Sequence, residues 1–168
     1  MKIFLIGKGA SGKTYVENCL KSMGFKCGIF TTTRSIRDGE QEGVNYYYKT
    51  DKEFLENKNL YICSNSYNNW YYGLTYDEFT NKDIFIMTPM YIKQLKEQGI
   101  DLSNIYKIYF DIDFITRQNR LLQRNDADSV DRRLLADEED FIGFVDYDIS
   151  FKNFNLSDIL QLIQSKLK

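Results

Sequence analysis

The sequence contains no histidine among its 168 residues. That absence excludes every catalytic triad and proton shuttle that depends on an imidazole. Its cysteines, Cys19, Cys27 and Cys63, are odd in number and form no CxxC pair. We therefore expect reduced thiols, as in a cytosol, rather than a disulfide framework or a zinc site.

Long apolar runs and an excess of charge are also absent. No apolar stretch approaches the roughly 18 residues that span a bilayer, and Ile3–Ile6 is too short for a signal peptide. The formal net charge of −2 gives no basic field for nucleic acid or anionic membranes. Abundant Lys, Asn, Ile and Tyr are typical of an AT-rich bacterial or viral genome. We expect a cytoplasmic protein, bacterial or in a host cytoplasm if virus-encoded. It would be a monomer or homodimer that binds neither nucleic acid nor membrane.

Four short apolar runs, each stopped by a turn or followed by a helical pattern, set the expected fold. They are Lys2–Ile6, Ile84–Met87, Ile105–Phe110 and Tyr147–Phe151. Strands that alternate with helices predict an α/β fold with a doubly wound parallel sheet flanked by helices. The length favours a single domain, 1–168. Residues 31–80 are polar and rich in tyrosine, and we expect them to form an insertion over the sheet.

Helix signals agree with this alternation. Helices are predicted over Lys13–Met23 and Met90–Gln98, each followed by glycine. Asn155 is the expected N-cap of the last helix. Within the insertion, the capping box from Thr50 to Glu53 is the main helical signal.

The segment Gly7–Thr14 matches the phosphate-binding pattern G-x-x-x-x-G-K-[ST]. It directly follows a predicted strand and opens a helix, which is the context that this motif requires. Glycines let backbone N–H groups converge on phosphate oxygens, and the helix N-terminus favours negative charge. Lys13 would reach the β- and γ-phosphates, and the Thr14 hydroxyl would ligate Mg²⁺. The remaining residues predicted to bind ATP in this loop are Gly7, Gly9, Ala10, Ser11 and Gly12.

A phosphate loop alone serves GTPases, motors and small-molecule kinases. A GTPase needs an Asn-Lys-x-Asp base reader after a strand. The nearest sequence, Asn81-Lys82-Asp83-Ile84, has the wrong last residue and precedes a strand. The GTPase class is therefore disfavoured.

A second anion site is indicated by Arg34 and Arg37, three residues apart in the segment Thr31–Glu40. Two arginines can grip one phosphate from two sides, and tyrosine hydroxyls such as those of Tyr46 and Tyr72 can donate to its other oxygens. A monophosphate acceptor requires such a site. From the residues alone, a solvated loop with chance arginines and edge-strand tyrosines stays open.

The order of these motifs resembles the guanylate kinase family over most of the chain. That order is the phosphate loop, T-T-R-x-x-R-x-G-E, G-x-x-Y, Y-Y-G and a basic lid. The resemblance implies an ATP- and Mg²⁺-dependent nucleoside monophosphate kinase, with GMP or dGMP as the first expected acceptor. It also implies that Arg34, Arg37, Tyr46 and Tyr72 hold the acceptor phosphate.

The base-reading residues of that family are replaced here. Counting back from Tyr72 puts Cys63 where the family has a glutamate, and Thr88 falls where it has an aspartate. Leu74 takes the place of a hydroxyl residue, although Thr75 is adjacent. We take Cys63, Thr75 and Thr88 as candidates for acceptor binding. The base stays open, and another deoxynucleotide or a ribosyl phosphate is the alternative acceptor.

The predicted lid covers residues 120–136. Helical spacing puts Arg117, Arg120 and Arg124 near one face. The resemblance implies that Arg124 and Arg133 meet the transferring phosphoryl group. Surface arginines paired with nearby aspartates are the alternative.

The resemblance extends beyond the lid. Asn153 matches a family residue near the adenine of ATP. A non-catalytic, guanylate-kinase-like binding module is a competing function, but such modules generally lack a working phosphate loop.

Overall fold

Eight strands, seven α-helices and one short 3₁₀ helix, Lys58–Leu60, occur in the described residues, 1–123 and 129–167, of the computed structural model. The strands are β1 (Lys2–Gly7), β2 (Thr31–Thr32), β3 (Tyr47–Tyr48), β4 (Tyr61–Tyr67), β5 (Trp70–Thr75), β6 (Ile84–Met87), β7 (Ile105–Phe110) and β8 (Ile149–Phe151). The helices are α1 (Lys13–Ser22), α2 (Asp51–Glu56), α3 (Tyr76–Asn81), α4 (Pro89–Glu97), α5 (Phe114–Leu122), α6 (Val130–Asp140) and α7 (Leu156–Leu167).

The central sheet is parallel, with the strand order β6-β1-β7-β8. Its middle strand β1 is apolar without alternation because both faces are covered, as parallel sheets require. One face packs against α1 and α7, and the other packs toward α4 and the second sheet. The predicted doubly wound α/β fold is confirmed.

Helix boundaries follow the predicted capping signals closely. In α2 the capping box is complete, because the Thr50 hydroxyl accepts from the Glu53 amide and the Glu53 carboxylate accepts from the Thr50 amide. Asn155 caps α7 by accepting from the Ser157 amide at 2.9 Å. Helix α4 begins one residue earlier than predicted, since proline is well suited to the first helical position.

The insertion forms a second sheet with the order β3-β2-β5-β4. Strands β4 and β5 make an antiparallel hairpin that the sequence analysis did not predict. Its turn residues, Asn68 and Asn69, both have positive φ, at 53° and 62°. That conformation matches the twist of a two-residue hairpin turn, and asparagine tolerates it better than most residues.

Aromatic stacking holds this second sheet to α2. The Phe54 ring stacks on Tyr61 with centroids 4.3 Å apart and on Tyr71 with centroids 5.4 Å apart. Gly73 lies beneath the first pair, where a Cβ would come within 2.6 Å of the Tyr61 ring. Glycine is therefore required here by close packing rather than by backbone conformation.

The buried carboxylate of Glu78 on α3 ties the second sheet to the central one. It accepts from the Ile29 amide at 2.8 Å and from the Tyr47 hydroxyl at 3.2 Å. The Gly28 amide also donates to the Ile84 carbonyl at 2.8 Å. These bonds fix the point where the chain leaves the central sheet.

The described helices include none that is long and apolar enough to cross a membrane. The cysteines are free thiols, as expected. Burial raises the pKa of Cys27 and of Cys63 to about 12, so both thiols are protonated at neutral pH.

Candidate active site

A cleft of about 1030 Å³ lies between the phosphate loop and the second sheet. Most of the residues predicted for the site line it together. They are Gly9, Ala10, Ser11, Gly12, Lys13, Thr14, Arg34, Arg37, Tyr46, Tyr72, Thr88, Arg133 and Asn153. Both anion sites that the sequence indicated therefore face one space.

The phosphate loop is shaped by two left-handed residues. Gly12 has φ of 101°, and a Cβ there would be 2.9 Å from the Phe154 ring. Ala10 is left-handed as well, with φ of 59°, a conformation that costs a non-glycine residue free energy. Such turns aim successive backbone N–H groups at one point and create a concave site for an anion.

The side chain of Lys13 lies along the loop that it follows. Its Nζ donates to the carbonyls of Gly7 at 2.5 Å and Lys8 at 2.8 Å. Gly7 contributes this carbonyl and does not itself line the cleft. Lys13 can reach phosphate oxygens in the loop by exchanging these neutral acceptors for charged ones.

Thr14, in the first turn of α1, is the candidate metal ligand and lines the cleft. Among residues 1–123 and 129–167, no group of three or more acidic, cysteine or histidine side chains could hold a metal. A Mg²⁺ ion fits this site only with the Thr14 hydroxyl, phosphate oxygens and water as ligands, which is a common arrangement for this ion.

Across the cleft, Arg34 is held by Glu40 through one guanidinium nitrogen. The guanidinium Nη2 donates to the two carboxylate oxygens at 2.8 and 3.0 Å, although Arg34 is only 4% exposed. Burial alone would lower the pKa of Arg34, but the bond and charge of Glu40 raise it overall. The final glutamate of T-T-R-x-x-R-x-G-E therefore orients the arginine.

Glu40 also organises the residues around that arginine. It accepts from the Arg37 amide at 2.9 Å and from the Tyr48 hydroxyl at 2.7 Å. Burial acts to raise the pKa of Glu40, but its bonds to Arg34, Tyr48 and the Arg37 amide lower it overall. The carboxylate is therefore ionised at neutral pH and fixes Arg34 in place.

Two tyrosines lie beside Arg34 on the same side of the cleft. The Tyr46 ring lies 5.3 Å from the Arg34 guanidinium, a cation–π contact, and 6.2 Å from the Tyr72 ring. Burial raises the pKa of Tyr46 to about 12. Its hydroxyl therefore keeps its proton and can donate a hydrogen bond to an anion.

The structure does not bring Cys63 and Thr75 to the cleft. Cys63 is 2% exposed and packs in the apolar core, because a register shift in β4 between Tyr61 and Cys63 breaks the strand's alternation. The Thr75 hydroxyl instead caps α3 by accepting from the Glu78 amide. Thr88 lines the cleft and also caps α4.

Several cleft residues were missed in the sequence. Glu17 lies one helical turn after Lys13 on α1, and this i+4 spacing could have revealed it. Trp70 enters the cleft from the unpredicted hairpin, for which the pair Asn68-Asn69 was the available signal.

Arg120 was predicted as part of the lid and donates to the Ala10 carbonyl at 3.0 Å.

The predicted lid arginines occupy different environments. Arg124 lies outside the described residues. Arg117 is 1% exposed and pairs with Asp137 and Glu138 of α6, so it is a buried residue rather than a surface one. Arg132 lies over the Tyr67 ring at 4.6 Å, which joins α6 to the hairpin across the cleft mouth.

A strand–loop–helix phosphate motif on the parallel sheet faces an arginine-lined site that follows β2 of the second sheet. This arrangement places the chain among the P-loop kinases. The fold is similar to the crystal structure of guanylate kinase from Anaplasma phagocytophilum, with a TM-score of 0.71 at 17% identity. That alignment covers 99% of this chain and 84% of the other.

Relatives in sequence carry the same name. Guanylate kinase of Prochlorococcus marinus (strain MIT 9312) is 28% identical over 177 residues, covering 97% of this chain and 96% of that protein. Guanylate kinase of Rickettsia typhi is 34% identical over 116 residues, covering 67% of this chain but only 49% of its own length. No family model matches. The chain belongs to the guanylate kinase family.

Proposed function

We propose that this chain transfers the γ-phosphoryl group of ATP to the phosphate of a nucleoside monophosphate, with GMP or dGMP as the first acceptor. The observation that carries the proposal is that Lys13 and the Arg34–Glu40 pair line one cleft. The family supports GMP as the acceptor, since the relatives described above are named guanylate kinase.

The chemistry needs little covalent help from the protein. The acceptor phosphate is already nucleophilic at neutral pH, so a general base is unnecessary, in agreement with the absence of histidine. Catalysis then consists of positioning and charge stabilisation. Arg34, Arg37, Tyr46 and Tyr72 would orient the acceptor phosphate.

The donor side would neutralise the charge that moves between the two nucleotides. Lys13 would follow the β- and γ-phosphates, and Arg133 would face the transferred group from α6. The Thr14 hydroxyl would hold Mg²⁺, which would supply further neutralisation of phosphate charge. The segment 120–136 would act as the lid over ATP, with Asn153 near the adenine.

The alternatives are less well supported. A non-catalytic binding module would not need the intact loop Gly7–Thr14 with its lysine in place. Another deoxynucleotide or a ribosyl phosphate as acceptor would fit the altered base-reading positions, but the two relatives described above are named guanylate kinase. The cytoplasmic location and the monomeric or homodimeric state stay predictions of the sequence.

The test is coupled ADP release with ATP, Mg²⁺ and a panel of nucleoside and deoxynucleoside monophosphates. We expect GMP or dGMP to give the highest kcat/KM and Lys13→Ala to abolish most of the signal. The absence of turnover with every acceptor in the panel would defeat the proposal.

A further inference from the structure

A carboxylate of α6 lies on the phosphate loop. The Oδ2 atom of Asp137 accepts a hydrogen bond from the Gly9 backbone amide at 2.8 Å. The approach is so close that a Cβ on Gly9 would lie 2.8 Å from the same oxygen. An acidic side chain thus contacts a loop whose amides bind anions.

A buried arginine supports this carboxylate. Arg117, on α5, donates to Asp137 at 3.3 Å and to Glu138 at 2.6 Å. Glu138 in turn accepts from the Lys8 side chain at 2.5 Å. Two adjacent carboxylates of α6 therefore hold two adjacent residues of the loop, and Arg117 fixes both.

Asp137 is partly buried among positive groups, with 19% of its side chain exposed. Burial raises the pKa of Asp137, opposed by the Gly9 amide and by the positive charges of Lys13, Arg117 and Arg133. The same features, a loop amide and a converging set of cations, favour the phosphate oxygens of a nucleotide.

We propose that Asp137 is an internal anion that occupies the Gly9 amide of the phosphate loop and that the triphosphate of the donor nucleotide displaces it. Donor binding then releases α6 from the loop and couples the position of this helix to the nucleotide. The proposal rests on the proposed function only in assigning a triphosphate to the loop. It requires no particular acceptor.

Removal of the negative charge should strengthen donor binding, because the ligand no longer competes with a carboxylate or approaches one. Asp137→Asn keeps the shape and a neutral acceptor, whereas Asp137→Ala removes the acceptor. We expect each to lower the Kd about tenfold, the scale of one charged hydrogen bond.

The experiment is calorimetric titration of the full chain with ATP and, separately, with inorganic tripolyphosphate, without acceptor. The matched control is Asp140→Asn, which removes the same charge one turn later on α6. Asp140 is also partly buried, and burial is the main cause of its raised pKa. Tighter binding of both ligands by the Asp137 variants, with the control within about twofold of wild type, is the expected result. Unchanged or weaker binding by the Asp137 variants would overturn the proposal.

A wild-type measurement covers the case in which the variants fold poorly. Carbon-13 NMR of the Asp137 carboxyl, with nitrogen-15 NMR of the Gly9 amide, should report a change at both atoms on saturation with tripolyphosphate. An unchanged carboxyl resonance would contradict displacement. If the Asp137 variants bind ATP more tightly but no monophosphate is turned over, the proposed function fails and this inference stands.

Discussion

The two walls of the cleft are built in different ways. The donor wall, the side of the cleft that we propose binds ATP, is largely one uninterrupted loop, Gly7–Thr14, whose shape comes from local backbone conformation. The acceptor wall, the side that we propose binds the monophosphate, is assembled from residues between Arg34 and Tyr72, which come together only when the second sheet forms. A change on the donor wall should therefore act on ATP binding and on the chemical step, with little effect on stability. A change on the acceptor wall should act on binding and on stability together.

The largest effect is expected at Lys13. Lys13→Ala removes the charge that we propose neutralises the transferred phosphoryl group, and loss of one such group costs about 10²–10³ in kcat. Steady-state kinetics with saturating acceptor should show this with little change in acceptor KM. Lys8→Ala is the control within the same loop, because Lys8 pairs with Glu138. A comparable loss of kcat in the control would contradict a special role for Lys13.

The next largest effect is expected at Arg34. Arg34→Ala should raise the acceptor KM about 10- to 100-fold, as for loss of one charged hydrogen bond, while kcat changes less. Arg133→Ala should instead lower kcat, because we propose that Arg133, which lines the cleft, faces the transferred group. Initial-rate measurements over both substrates separate the two. Equal, small effects from both variants would contradict these roles.

A packing change should weaken the acceptor wall without touching a ligand. Gly73→Ala puts a Cβ within 2.6 Å of the Tyr61 ring and 2.9 Å of Phe54. Overpacking of this kind costs about 1–3 kcal/mol. Chemical denaturation should show the loss of stability. The KM for the acceptor should rise more than the KM for ATP. An unchanged denaturation midpoint would mean that the stacked rings move aside freely.

The smallest effect concerns acid stability. The pKa of Glu40 is lowered in the folded chain, since its bonds to Arg34, Tyr48 and the Arg37 amide outweigh the opposing effect of burial. Its stabilising contribution is therefore present above its unfolded pKa and is lost as the pH falls through the folded value. Glu40→Gln should cost about 1 kcal/mol or less at pH 7 and progressively less below about pH 4.5. Urea unfolding at several pH values measures this difference. An equal loss of unfolding free energy with falling pH in the wild type and in Glu40→Gln would contradict the prediction.

Local signals predicted the donor wall and much of the fold. The bounds of β6 and β7 were predicted as observed, since short apolar runs stopped by turn residues define buried strands. The loop Gly7–Thr14 was readable because its residues are contiguous.

The acceptor wall shows where such reasoning ends. Counting residues back from Tyr72 aligned Cys63 with a base reader, but counting cannot detect the register shift that turns Cys63 into the core. The bond between Asp137 and Gly9 joins residues 128 positions apart, and no sequence period relates them. Such contacts depend on how α6 packs, which is a tertiary property.

Trp70 is the only tryptophan of the chain, and it is partly buried in the wall of the cleft. Its indole emission therefore comes from a single position, next to the ligands rather than averaged over the molecule. Nucleotide binding can be followed as a change in intrinsic fluorescence, without a dye or an added label. A stopped-flow trace of this signal would show whether the hairpin responds to ATP or only to the acceptor.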